Sequence, residues 1–350
     1  MSRIDRSAPR YGEAGVSLER GAESVRRIRA RVRSTFGPRV ESQIGSFGGF
    51  FAYPSEGSER LLVSSMDGVG TKIRLAVEAR RFESVGYDLV AHCVNDILVH
   101  GARPLFFLDY IGAGFLDPDI VERLVAGLTE GCTEAGCALI GGEVAEMPGI
   151  YPEGELDLVG CIIGDVRRTD IVNGKACEAG DRILGLTSDG LHTNGYSLAR
   201  KVILEEGGIQ LQEPLPGTGK SVADSLLRRH RMYLPVLDGL LGRLPIHGMA
   251  HITGGGIPEN LPRALRPGLG ARVDRSAWAV PELFQAIQRL GQIDDEEMFS
   301  VFNMGIGFVL VVPPDSEEAW TGALEGRGER VIRLGHVEEG DCAVVWLDRP

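Results

Sequence analysis

Apolar residues along the chain fall into runs and stripes separated by polar segments rich in glycine. Residues 61–66 form an apolar run that predicts a strand. Over 85–100, Val85, Leu89, Val90, Cys93, Val94, Ile97 and Leu98 recur on one broad face and predict a helix. A buried strand over 104–111, a helix over 119–135 closed by Gly136, a short strand over 137–140 and a strand over 156–164 complete this half. After the polar stretch 173–181 the pattern restarts: a strand over 182–187, a helix from Asn194, a longer helix over 223–239, and strands near 305–312 and 330–346. Residues 207–219 carry few packing side chains and predict a surface connection. Two domains of class α/β (α+β) are expected, 11–172 and 173–350, behind a loose tail over 1–10.

Length and composition agree with that picture: 350 residues exceed what one core usually organises, and 43% hydrophobic with 25% charged residues is ordinary for a globular chain. No run approaches the roughly 18 apolar residues of a membrane helix, and the start, MSRIDRSAPR, lacks the apolar core of a signal peptide, so a cytoplasmic protein without a membrane partner is expected. Six cysteines without a CxxC pair predict reduced packing residues, neither a disulfide framework nor a zinc site. The net charge of −12 divides into +6 over residues 1–40 and −18 over the rest, and so acidic a body argues against nucleic acid. The basic beginning holds a helix over 22–33, where Arg26, Arg29 and Arg33 flank Val25, Ile28 and Val32. That stripe reads either as a solvated face or as a cover over an anionic ligand. Glycine, at 48 residues, is about twice its usual share of roughly 7%, which points to backbone closely approached by a ligand.

GTGKS at 217–221 imitates a phosphate loop, but Pro214 stands where the motif needs a glycine and no apolar strand precedes it. SSMDGVGTK at 64–72 is better placed. A strand delivers Asp67 into a loop where Gly68, Val69, Gly70 and Thr71 offer backbone and hydroxyl donors and Lys72 a cation, a set suited to a magnesium-bound polyphosphate. In VNDILVHGARP, Asn95 and Asp96 interrupt an apolar helix, and a buried carboxylate needs a partner or a metal. IGGEVAEMPG places Glu143 after a double glycine at a strand end. Asp67, Asp96 and Glu143 are therefore expected to converge on hard cations. The second half adds SDGLHTNGYSL, with His192 as an acid, base or donor beside Asn194, and HITGGGIPEN, where Gly254, Gly255 and Gly256 before Asn260 make a backbone-lined cradle.

Taken in order, these segments, with YGEAGVSLERG at the start and FNMGIGFVL near the end, resemble the phosphoribosylformylglycinamidine cyclo-ligase family over nearly the whole chain. The resemblance implies an ATP-dependent ligase of purine biosynthesis. Phosphorylation of the formamide oxygen of formylglycinamidine ribonucleotide, attack by the amidine nitrogen and loss of phosphate give aminoimidazole ribonucleotide. It implies ATP and Mg2+, leaves potassium open, and implies a homodimer in which N-terminal sheets join into a barrel, with a C-terminal α/β sandwich. Carried onto this sequence, the metal acids are Asp67, Asp96 and Glu143, and the ATP contacts Gly68, Val69, Gly70, Thr71, Lys72, Asn95 and Arg29. The substrate contacts are Gly254, Gly255, Gly256 and Asn260, with Lys72, His192 and Asn194 as catalytic groups. Arginine at position 29, where some relatives have lysine, excludes a lysine-specific role there. A small-molecule kinase similar to thiamine-monophosphate kinase is the alternative within the wider superfamily; a silent nucleotide-binding scaffold is the alternative outside it, and it has no use for clustered carboxylates.

Overall fold

The computed structural model describes residues 9–14, 16, 18–42, 47–53 and 59–347. Most of the expected tail therefore lies outside the described residues. Two helices, α1 (Pro9–Glu13) and α2 (Leu18–Arg33), precede a first sheet built from β1 (Gly49–Ala52), β2 (Arg60–Gly68), β3 (Arg103–Ala113), β4 (Ala138–Glu146) and β5 (Leu156–Arg167). Its order is β1-β2-β5-β3-β4, antiparallel except for the parallel β3–β4 pair at the edge. Between the strands run α3 (Lys72–Ala79), α4 (Glu83–Leu98) and α5 (Pro118–Ala135).

α4 is buried at every position over 85–98, because it lies between the sheet and α5. The two helices approach closely through glycines: a Cβ on Gly86 would strike the Leu124 carbonyl, and one on Gly127 the Glu83 carbonyl. α5 is capped at its start by Asp117, whose side chain accepts from the Asp119 N–H at 3.0 Å with Pro118 in the first turn, and it stops at Gly136 in the left-handed conformation, the end that its sequence predicts.

A six-stranded second sheet, ordered β11-β8-β10-β6-β9-β7, uses β6 (Arg182–Thr187), β7 (Gly248–His251), β8 (Leu269–Asp274), β9 (Ile306–Val312), β10 (Val331–Glu339) and β11 (Val344–Leu347). β9 is buried along its whole length, which explains its unbroken apolar run. The accompanying helices are α6 (Tyr196–Arg200), α7 (Val222–Leu226), α8 (Leu234–Leu237), α9 (Gly256–Asn260), α10 (Glu282–Gly291), α11 (Asp295–Val301) and α12 (Glu317–Glu325).

Two expectations need correction. The helix over 223–239 is two short helices, α7 and α8, because residues 228–233 run between them in irregular backbone held by side chains of the first half; Pro235 then sits in the first turn of α8. The strand over 137–140 extends through Glu146 and is mostly exposed. The connection over 207–219 runs over the surface as expected, anchored by buried Leu211 and Leu215.

Candidate active site

Every fourth residue or so along buried α4 is polar: Asp88, His92, Asn95 and Asp96 share one face by helical periodicity. That face meets the second half of the chain, and each member finds a partner there. The Asp88 carboxylate accepts from the His230 N–H at 2.6 Å; Asn95 donates to the Arg231 carbonyl at 2.8 Å and accepts from the Tyr233 N–H at 3.0 Å. His92 Nδ1 lies 2.6 Å from the Thr193 hydroxyl, and Asp96 Oδ1 lies 2.8 Å from His251 Nδ1. Thr193 Oγ1 and His230 Nδ1 are 3.4 Å apart, and His230 Nε2 and His251 Nε2 are 2.9 Å apart, so the contacts form one connected path from His92 to Asp96.

The path opens onto a cavity of about 490 Å3 between the halves, whose walls include Asp67, His92, Asp96, Asn194, Gly254 and Arg263. Asp67 and Asp96 flank one imidazole nitrogen, His92 Nε2, at 3.3 and 3.8 Å. Burial by itself would depress the His92 imidazolium. The Asp67 and Asp96 carboxylates outweigh it and raise its pKa to about 9. Burial likewise pushes Asp67 up, but His92 wins and holds its carboxyl below the usual range. His251 and His230 are pushed down by burial, and neighbouring histidines add to the effect on each.

The two facing carboxylates fit a magnesium ion, which commonly takes one or two protein carboxylates and fills its remaining positions with water and substrate phosphate oxygens. A softer metal is not needed to explain the histidines, since hydrogen bonds already occupy His92, His230 and His251.

Several expected site residues lie elsewhere. Glu143 does not join Asp67 and Asp96 within one chain. In the sheet, Asp67 pairs with Gly160, Gly160 with Asp109 and Asp109 with Gly142, so Glu143 is three strand steps away, roughly 14 Å. It also follows Gly142 by one residue, which turns its side chain to the opposite face. Lys72 is fully buried, its ammonium taken up by Asp88 Oδ2 at 2.6 Å and the carbonyls of Arg228 at 2.7 Å and His192 at 2.9 Å. With three donors and three acceptors, it has nothing left for a phosphate. Asn95 is equally committed to residues 231 and 233.

His192 is buried behind the cavity, stacked on His230 with ring centroids 4.0 Å apart, and neither of its ring nitrogens has a partner among the described residues. Asn260 is wholly buried and braces the glycine loop, donating to the Gly254 and Gly256 carbonyls at 3.1 and 2.9 Å. Gly256 is glycine for packing, since a Cβ there would strike the Phe299 carbonyl, and Gly255 has φ +90°. Gly68, Val69, Gly70 and Thr71 do not line the cavity; Val69 is buried with its N–H on the Leu158 carbonyl, and Thr71 meets the Ser197 hydroxyl at 3.0 Å. Arg29 is exposed on α2 and does not line it either.

The cavity thus brings together Asp67, Asp96, Asn194 and Gly254 from the expected set. It adds His92, Arg263 and Phe47, which the sequence reading passed over. For His92 a signal existed, namely its position four residues before Asp96 on the same helix face.

Fold and cavity together define a two-domain class, and family models match both halves: AIR synthase related protein, N-terminal domain, over residues 52–166, and AIR synthase related protein, C-terminal domain, over residues 178–347. The chain belongs to the AIR synthase related family. Within it, the phosphoribosylformylglycinamidine cyclo-ligase of Citrifermentans bemidjiense is 47% identical over 97% of each chain, and that of Trichlorobacter lovleyi is 47% identical over 95% of this chain and 96% of its own. Among solved structures, thiamine-monophosphate kinase from Stenotrophomonas maltophilia superposes with a TM-score of 0.61 at 21% identity, covering 91% of this chain and 94% of that one, which bears on the fold alone.

Proposed function

We propose that this protein catalyses the ATP-dependent closure of formylglycinamidine ribonucleotide to 5-aminoimidazole ribonucleotide, the activity that its 47%-identical relatives are named for. The observation that carries the reading is a polar cavity with Asp67 and Asp96 on one wall, in a chain matching those relatives almost end to end. In the reaction the formamide oxygen takes the γ-phosphoryl of ATP as the β,γ P–O bond breaks and ADP leaves. The amidine nitrogen then bonds to the formyl carbon, its C–O bond breaks, phosphate departs and the nitrogen loses its proton. Such a transfer is governed by positioning and charge neutralisation more than by a strong nucleophile.

In this proposal Asp67 and Asp96 hold Mg2+, which when bound neutralises the phosphates. His92 keeps the Asp67 carboxylate ionised and sits between it and Asp96, and Asn194 and Gly254 contact the substrate from the second half of the chain. Residues 11–172 supply the metal wall and 173–350 complete the cleft. A homodimer is part of the reading: Met66, Ile140 and Val144 are exposed apolar residues on the first sheet, whose β4 edge is unpaired among the described residues, and a second copy would cover them and continue the sheet toward a barrel. No described helix is long and apolar enough to cross a membrane.

The test is conversion of formylglycinamidine ribonucleotide by the purified protein with MgATP, with and without potassium. One aminoimidazole ribonucleotide per ADP supports the assignment. A phosphorylated, uncyclised product would instead favour the kinase alternative, and absence of turnover would defeat the ring-closure assignment.

A further inference from the structure

Arg263 lies on the short turn that follows α9 and is exposed to the cavity that Asp67 and Asp96 face. Its guanidinium lies over the Phe47 ring, 3.5 Å from the centroid, and Nη1 donates to Asn260 Oδ1 at 3.0 Å. Asn260 is itself locked by the carbonyls of Gly254 and Gly256. The side chain is therefore aimed from two sides, by an aromatic face and by a buried amide. Burial draws its pKa down, and Asp96, Asp67 and Glu259 act in the opposite direction.

Other arginines near the domain junction are neutralised by carboxylates: Arg231 by Glu329, Arg229 by Glu130 and Arg103 by Asp238. No ion pair within 4.0 Å involves Arg263 among the described residues. A guanidinium has five N–H donors, and one of them is used against the protein among the described residues. A preoriented arginine with no ion-pair partner among the described residues, open to a polar cavity that two carboxylates suited to a cation also line, is built to receive an anion bound beside that cation.

We propose that Arg263 binds the phosphoryl group in transit, first as the γ-phosphate of ATP, then on the formamide oxygen, and last as the departing phosphate ion. The inference rests on the ring-closure reading and names a contact that the sequence did not suggest. The γ-phosphoryl is the anion chosen, in preference to the ribose phosphate of the substrate, because Arg263 shares one cavity with the carboxylates that would hold the metal of the triphosphate. Charge builds on that group as it leaves ADP and again as phosphate is expelled from carbon. A fixed cation there favours the transition states more than the ground state.

The test uses Arg263→Gln and Arg263→Lys in the full chain, with circular dichroism and melting temperature as checks of folding. The expected result for Arg263→Gln is a fall in kcat of about 100- to 1,000-fold, the size found on losing one well-placed transition-state donor. The Kd of formylglycinamidine ribonucleotide should stay within about three-fold, and Arg263→Lys should recover part of kcat because it keeps the charge without the fork. A raised KM for formylglycinamidine ribonucleotide at unchanged kcat would overturn the proposal in favour of the ribose phosphate, and unchanged kinetics would overturn it outright.

A second measurement separates this failure from failure of the ring-closure reading: calorimetric titration of inorganic phosphate into the protein saturated with MgADP. Wild type should bind phosphate, and Arg263→Gln should bind it at least ten-fold more weakly, whichever substrate the enzyme uses. Equal phosphate affinity in the two proteins would sink the role of Arg263 even if wild type makes aminoimidazole ribonucleotide. Were Arg263→Gln to misfold, Arg263→Lys carries the same titration, with an intermediate loss expected and no loss refuting.

Discussion

Replacing Lys72 by Met separates two uses of the same lysine. A lysine that reached ATP phosphates would, when removed, weaken nucleotide binding and leave the fold alone. The buried ammonium instead bonds Asp88 and two carbonyls of the second half. Burial pulls the Lys72 pKa down and the Asp88 pKa up, each resisted by the other, so the pair survives by mutual support. Lys72→Met leaves Asp88 with the His230 N–H and no cation, and strips the Arg228 and His192 carbonyls of a donor.

Breaking one side of a buried pair costs about 3–5 kcal/mol, and the freed carbonyls place this case toward the upper end. That is a large share of a typical stability of about 5–15 kcal/mol. The assay is urea unfolding of wild type, Lys72→Met, Asp88→Leu and the double variant. Both single variants should lose several kcal/mol, and the double variant should lose clearly less than their sum, since it buries no uncompensated charge. A loss below about 1 kcal/mol for Lys72→Met, together with a ten-fold or greater rise in the Kd of MgATP, would refute the reasoning and return Lys72 to the phosphates.

Asp67→Asn and Asp96→Asn should each keep the fold and lose magnesium-dependent turnover; full activity in both, at any Mg2+ concentration, would remove the metal role. His100, buried with Nδ1 on the Val172 carbonyl at 3.0 Å, has its pKa lowered by burial to about 4. Because the unfolded chain takes up that proton near pH 6.5 and the folded one does not, its contribution is intact above pH 6.5. It is lost as pH falls to 4, by about 3 kcal/mol. Urea unfolding of wild type and His100→Gln at pH 7 and pH 4.5 should therefore show the gap between them shifting in favour of the variant at the lower pH, and a gap that does not move would contradict it. Lys220→Ala should leave the Kd of ATP within about two-fold in equilibrium binding, because GTGKS forms an exposed turn whose Ser221 caps five-residue α7.

Element identity was legible where a local pattern sufficed. Periodic apolar residues gave α4 and α5, with α5 ending at the Gly136 cap, and continuous apolar runs gave β6 and β9. Sheet order was not legible, and Glu143 shows why: its surroundings in sequence look like those of Asp67, but β5 and β3 lie between their strands, and one step of register reverses the side chain. Lys72 misled for a related reason. A glycine loop followed by lysine says that a cation stands at a strand end, but not that the carbonyls of residues 192 and 228, far along the chain, arrive to saturate it. The break over 228–233 was hidden because its backbone is satisfied by distant side chains, a source of order absent from local propensity. The Asp88–His92–Asn95–Asp96 stripe was readable in principle, since polar residues repeating on one face of an otherwise apolar helix announce a polar partner.

The stripe also couples the folding of the two halves. Freed from residues 193–251, α4 would lose the partners that the second half gives to four of its polar side chains, and residues 228–233 would lose the groups that fix their path. Neither portion should therefore fold well alone: denaturation is expected to proceed as a single cooperative event, and a chain cut between the sheets to yield two insoluble pieces that recover structure when refolded together.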